Sequence, residues 1–279
     1  MKKMSTPRLI CLPIQRMSMV CLLVIALLSI SSCKKQTDKY VNDGQVVKSA
    51  VSDIDGNVYD AVYIGNALWM QQNLRTTKYA DGIAIEMDTT AGHYFQPGCR
   101  EEQLEQYGLL YNWTAAVRGS KGSVGTHKCR GVCPAGWHLP SDAEWKSMLT
   151  HAAEKYDSGH TPSPAIDNCL GWAASNTALA TILSGGDNEN DWLGVEGAVG
   201  VAADCGNAKH NASKFSALPA GYYTGGPNDC AWRADFWSST KGNMTETSIY
   251  VYILQADKCG VQRTCTYKDR ACAVRCVKD

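Results

Sequence analysis

Residues 133–153 read CPAGWHLPSDAEWKSMLTHAA, and the way this stretch divides decides the fold. Ser141 has the short oxygen-bearing side chain of a helix N-cap, and Glu144 stands three residues on, where its carboxylate can reach back to the cap. Trp145, Met148, Leu149 and Ala152 follow at three- and four-residue spacing, an apolar stripe along one helical face. The stretch therefore predicts a capped amphipathic helix whose stripe is core rather than a cofactor contact. His138 follows an aromatic residue just ahead of the cap, and reads as a satisfied structural histidine rather than a catalytic base.

Upstream, Asp55-Gly56-Asn57 is turn chemistry. Val58–Ile64 and Ala67–Met70 are short apolar runs joined by Gly65-Asn66, which predicts a β-hairpin. A second helix is expected over Leu109–Val117. Downstream, residues 157–211 loosen, with Pro162, Pro164 and many Gly, Asn and Ala, leaving at most a helix near Asn176–Leu183. Strands are expected at Ser216–Tyr223, Phe236–Ser239, Ser248–Leu254 and Cys272–Val277, which are aromatic or β-branched. No repeat of solenoid or propeller length is visible. The fold class is α+β: two helices, short antiparallel strands and a long irregular loop region, over residues 51–279.

The beginning of the chain is built for export. Lys2, Lys3, Arg8 and Arg16 precede an uncharged apolar run from Met19 to Leu28, shorter than the ~20 residues that span a bilayer. Small residues before Cys33 resemble a bacterial lipobox. The expectation is a signal peptide over 1–32, a lipidated Cys33 and a flexible polar tether to residue 50, with the acyl chains as the membrane partner. Cleavage would turn a balance of 27 basic and 27 acidic residues into 23 against 27. With no basic patch, nucleic acid is not expected as a partner.

Of thirteen cysteines, ten remain beyond Cys33, which in an exported chain reads as up to five disulfides. The pairs Cys129/Cys133 and Cys272/Cys276 could instead form a four-thiolate zinc site, although their spacing is looser than the usual knuckle.

Six blocks add up to a family: DIDGNVYDAVYIGNALWMQQNLRTTKYADG (53–82), YGLLYNW (107–113), CPAGWHLPSDAEW (133–145), FSALPAGYY (215–223), FWSST (236–240) and VRCVKD (274–279). In this order they resemble the Fibrobacter succinogenes major paralogous domain, found in lipoproteins of Bacteroidota and Fibrobacterota and similar to C-type-lectin-like domains. The resemblance implies a lectin-like fold stapled by a Cys133–Cys276 disulfide, worth about 4–5 kcal/mol in the chain-entropy model. It also implies an outer-membrane location, facing the periplasm or the cell surface.

Two clusters carry candidate chemistry. Asp187, Asn188, Glu189 and Asp191 lie in a run of oxygen-bearing side chains that could hold calcium; a solvated turn is the plainer reading. Trp232, Arg233 and Asp235, with Asn228 and Asp229 just upstream, join an aromatic face to polar groups, as a glycan site requires; core packing is the rival reading for Trp232. No GxSxG, HExxH or phosphate-binding glycine loop occurs. The expected function is a lipid-anchored envelope protein with an adhesin-like domain binding a glycan or a protein. The alternatives are an enzyme on a formylglycine-generating-enzyme-like fold, and a structural subunit of a surface assembly.

Overall fold

The computed structural model describes residues 40–87, 93–98, 104–122, 127–157, the backbone of 170–173, 178–186, 192, 210–245 and 247–279. The acidic run at Asp187–Asp191 and Cys33, with the lipobox-like residues before it, lie outside them.

In chain order the strands and helices are β1 (Val46–Ser52), β2 (Val58–Ile64), β3 (Ala67–Met70), β4 (Tyr94–Phe95), α1 (Leu104–Tyr107), β5 (Leu110–Asn112), α2 (Trp113–Ala116), β6 (Trp137–His138) and α3 (Asp142–Tyr156). Then come β7 (Leu170–Ala173), α4 (Leu179–Leu183), β8 (Tyr222–Tyr223), β9 (Pro227–Asn228), β10 (Arg233–Lys241), β11 (Ile249–Gln255), β12 (Val261–Thr266), β13 (Ala271–Ala273) and β14 (Val277–Lys278). One sheet has the order β1-β2-β3-β14-β6; the other runs β4-β5-β13-β10-β11-β12-β7, with β8 and β9 at its side. The class is α+β, as the sequence predicts.

Period-two alternation on β10 and β11 builds the core. Phe236, Tyr252 and Leu254 point to one face, against Trp145, Met148 and Leu149 of α3. Trp237, Val251 and Ile253 point to the other, against Tyr111, Trp113 and Cys133. Both faces are covered, so IYVYIL is an uninterrupted apolar run. Trp145 stacks on Tyr252 at 4.9 Å, and its indole N–H donates to the Trp237 carbonyl at 3.2 Å. The Trp237 indole in turn donates to the Tyr111 carbonyl at 2.7 Å.

The predicted helix at Ser141 is present with its reciprocal cap: the Ser141 hydroxyl accepts from the Glu144 N–H, and the Glu144 carboxylate accepts from the Ser141 N–H at 2.8 Å. Asp142, in the first turn, accepts from Arg263 Nε at 2.6 Å and from the Tyr252 hydroxyl at 2.8 Å, which ties the positive end of the helix to the sheet. The hairpin at Gly65-Asn66 is also as predicted.

Four expectations need correction. Leu109–Val117 is not one helix: Leu110–Asn112 pair with β13 and β4, and only Trp113–Ala116 turn, capped by the Asn112 side chain. Tertiary pairing overrides a helical pattern this short. Ser216–Tyr223 is strand only at its end, because Lys214 and Ser216 take left-handed φ of 59° and 56° and bend the chain. Ordered chain begins before residue 51: β1 pairs with β2 from Val46, and Asp43 accepts from the Gly65 N–H at 2.8 Å and holds His151 at 2.7 Å. Strand β12 was not expected, its polar alternation (VQRTCT) hiding it.

The disulfide joins Cys133 to Cys276, across 143 residues. Cys230, Cys259 and Cys265 are also disulfide-bonded. Cys129 and Cys272 are free and buried, so the ten cysteines do not all pair. Two of the four sulfurs of the zinc alternative are consumed by the disulfide.

Candidate functional site

The aromatic loop is mostly self-satisfied. Asp235 has no exposed surface. Its carboxylate accepts from Arg233 Nε at 2.5 Å and Nη2 at 3.1 Å, and from Arg270 Nη2 at 2.6 Å. The Tyr222 ring lies under both guanidinium groups, at 5.1 Å from Arg233 and 3.5 Å from Arg270. Burial opposes charge on Arg233, but Asp235 beside it raises the pKa overall. Trp232 is half-buried against the α3-side core. Asn228 donates to the Gly226 carbonyl at 2.7 Å; Asp229 is exposed at a left-handed turn position with φ of 51°. The structure brings these five residues together, but Arg233 pairs with Asp235, which Arg270 also engages.

A second place was not singled out by the sequence. The end of β3 runs on as Gln71-Gln72-Asn73-Leu74 alongside residues 274–276: Met70 N–H donates to the Cys276 carbonyl at 3.0 Å and Leu74 N–H to the Val274 carbonyl at 2.9 Å. Between these hydrogen bonds sits Arg275, 1% exposed. Its Nε donates to Asn73 Oδ1 at 2.9 Å, Nη2 to the Ser216 carbonyl at 2.7 Å and Nη1 to the Phe215 carbonyl. The guanidinium plane lies 4.4 Å from the Phe215 ring. Asn73 is itself held by donation to the Tyr107 carbonyl at 2.8 Å. Gly108 makes that approach possible, since a Cβ there would lie 2.6 Å from the Asn73 Cβ.

Arg275 forms part of the wall of an open cavity of about 470 Å³. Gln71, Gln72, Gln106 and Asn211 bring amides to it, and Ser216 a hydroxyl. Lys48, Asp60 and Glu105 add charges, and Leu218 is apolar. Burial tends to raise the Asp60 carboxyl, but Lys48 at 2.8 Å holds it below its ordinary value. Three non-glycine residues at the edge, Asn211, Lys214 and Ser216, have left-handed φ of 51–59°. Such backbone costs energy and persists where the surroundings over-determine it. Here the bend turns two consecutive carbonyls onto Arg275.

Other candidate chemistry is committed to structure. His138, buried, lies 2.7 Å from Glu144 Oε1 and 2.8 Å from Asp279 Oδ1. Burial raises the Glu144 carboxyl, but His138 and the Ser141 cap outweigh this and bring it down to about 2. Burial pushes the thiols of Cys129 and Cys272 up, which keeps them protonated and unreactive. Among the described residues, no group of three or more His, Cys, Asp or Glu is placed to hold a metal ion.

The signal that could have found Arg275 is a lone arginine inside the apolar, cysteine-flanked VRCV, opposite three consecutive amides, QQN. An arginine there must be buried, and a buried arginine needs acceptors.

The family model described as the Fibrobacter succinogenes major domain matches residues 62–278. The chain belongs to this family. No curated protein matches it significantly, and neither does any solved structure. The matched span takes in the MQQNL segment, Cys133, the long helix and Arg275.

Proposed function

We propose that this chain is an exported, lipid-anchored envelope protein whose lectin-like domain binds a hydrophilic ligand, a glycan, in the cavity beside Arg275. The cavity carries the reading. It is large enough for one or two sugar rings, and its lining of planar amides, carboxylates and a hydroxyl offers donors and acceptors to vicinal hydroxyls. It is fixed by the body of the domain rather than by one loop: residues from β3, the 211–218 bend and the end of the chain meet there. The long capped helix on a sheet and the Cys133–Cys276 staple support the lectin-like relationship.

A binding role is favoured over cysteine-based oxidation because the two free thiols among the described residues are buried with raised pKa. The lipobox supports anchoring through Cys33, with the outer membrane as the site. Calcium at Asp187, Asn188, Glu189 and Asp191 stays part of the proposal on the sequence alone.

The test is binding of the purified, oxidised mature protein to a broad glycan array, with and without calcium. Hits that are lost in Gln72→Ala and kept in Trp232→Ala place the ligand in the cavity. Hits with the reverse pattern would move it to the aromatic loop, and a blank array would remove the glycan reading. Loss of membrane association in Cys33→Ser tests the anchor.

A further inference from the structure

We propose that the cavity selects a ligand bearing a carboxylate, seated against the Arg275 guanidinium, so that acidic oligosaccharides rather than neutral ones are its ligand class. This rests on the reading of the cavity as a glycan site.

Arg275 is a buried cation with no carboxylate among the described residues in ion-pair reach; its partners are one amide oxygen and two carbonyls. Those three acceptors take one N–H from each nitrogen. A guanidinium has five N–H groups, so one on Nη1 and one on Nη2 are left over. Burial alone moves its pKa, down to about 9, with no charge acting to restore it, and the group is still a cation at neutral pH. The other buried arginine, Arg263, is paired with Asp142, and the half-buried Arg233 and Arg270 share Asp235, with Asp229 4.0 Å from Arg233. Arg275 is the exception, and it is the one that borders a cavity.

The other charges on the lining do not cancel it. Asp60 is paired with Lys48 at 2.8 Å. Glu105 is exposed on α1, and the pull of an exposed charge is reduced by water and salt to roughly 1 kcal/mol or less. A cation in the low-dielectric wall keeps a larger share of its field. A planar carboxylate also matches the paired N–H geometry of a guanidinium, with bonds roughly twice as strong as neutral ones. A hydroxyl can accept from Arg275 but brings no charge to offset its burial.

The experiment uses pairs of ligands, so it does not depend on a variant folding. Oligomers of galacturonate, glucuronate and mannuronate are titrated calorimetrically into the full mature protein, each beside its carboxyl-reduced neutral counterpart. At least one acidic oligomer is expected to bind tenfold or more tightly than its reduced form. The preference should survive 0.5 M salt, since it comes from a buried charge rather than from rim lysines. Arg275→Lys should lower the acidic affinity at least fivefold and leave the neutral affinity within twofold. Glu105→Gln, an exposed change, should raise acidic affinity up to twofold at low salt. Neutral forms binding as well as acidic ones would overturn the carboxylate inference while leaving the glycan site standing. A preference that vanishes at 0.5 M salt would assign it to the rim and overturn it as well. No binding by any acidic member would overturn the carboxylate inference, while the glycan reading stands or falls on the array.

Discussion

Two buried charges in this domain stand in contrast. Asp235 and Arg275 are both buried, Asp235 on β10 and Arg275 between β13 and β14 at the cavity wall. Asp235 is surrounded by charge, with Arg233 on one side and Arg270 on the other, and Asp229 lies 4.0 Å from Arg233, so two carboxylates close the cluster against two guanidinium groups. Arg275 is surrounded by dipoles only. Dipoles make a buried charge tolerable without cancelling it, and the remainder is free to act on a ligand. The aromatic loop is rich in chemistry that is already spent, whereas the cavity wall holds a buried charge that is not.

Breaking the two regions separately should give different signatures. The largest effect is expected from removing the staple beside Arg275: Cys133→Ala with Cys276→Ala should cost about 4–5 kcal/mol, read from the denaturant midpoint. Asp235→Ala comes next, since it strands two arginines; a loss of about 3–5 kcal/mol is expected, with binding by the remaining folded protein unchanged. If Asp235→Ala proved nearly neutral, the cluster would not be closed in the sense described.

Acid should act elsewhere, through Glu144. The Glu144 carboxyl is held at about 2, below its ordinary 4.5, so its contribution is complete above pH 4.5 and fades as pH falls toward 2. A few kcal/mol should be lost over that window, and His138→Gln should flatten the slope in an acid titration followed by tryptophan fluorescence. Arg275→Met has a smaller expected cost, about 1–3 kcal/mol, because no partner charge is left behind, only carbonyls without donors. Its main effect should be on acidic ligands. Trp232→Ala should be the mildest, near 1 kcal/mol, with oligosaccharide affinity within twofold. A larger drop in affinity would return the site to the aromatic loop.

Local chemistry was legible wherever it was decided locally. The cap at Ser141–Glu144, the stripe from Trp145 to Ala152 and the Gly65-Asn66 hairpin each depend on residues within a few positions of one another. The family blocks carried the Cys133–Cys276 link. The Asn112 strand-to-turn junction was misread because its partners, β4 and β13, are remote in sequence. Trp232, Arg233 and Asp235 looked like a binding face because the sequence does not show that Arg270, 35 residues on, completes an internal pair.

By itself the sequence determined the α+β class, the capped helix, the staple expected from the family blocks and the family itself. Only the tertiary structure decided which charges are spent. Whether a side chain is free for a ligand depends on neighbours brought in from distant parts of the chain, as Asn73 and Phe215 are brought to Arg275. Local propensity acts over a turn of helix or a pair of strands, while the electrostatic accounting of a buried group is completed only when the whole fold closes around it.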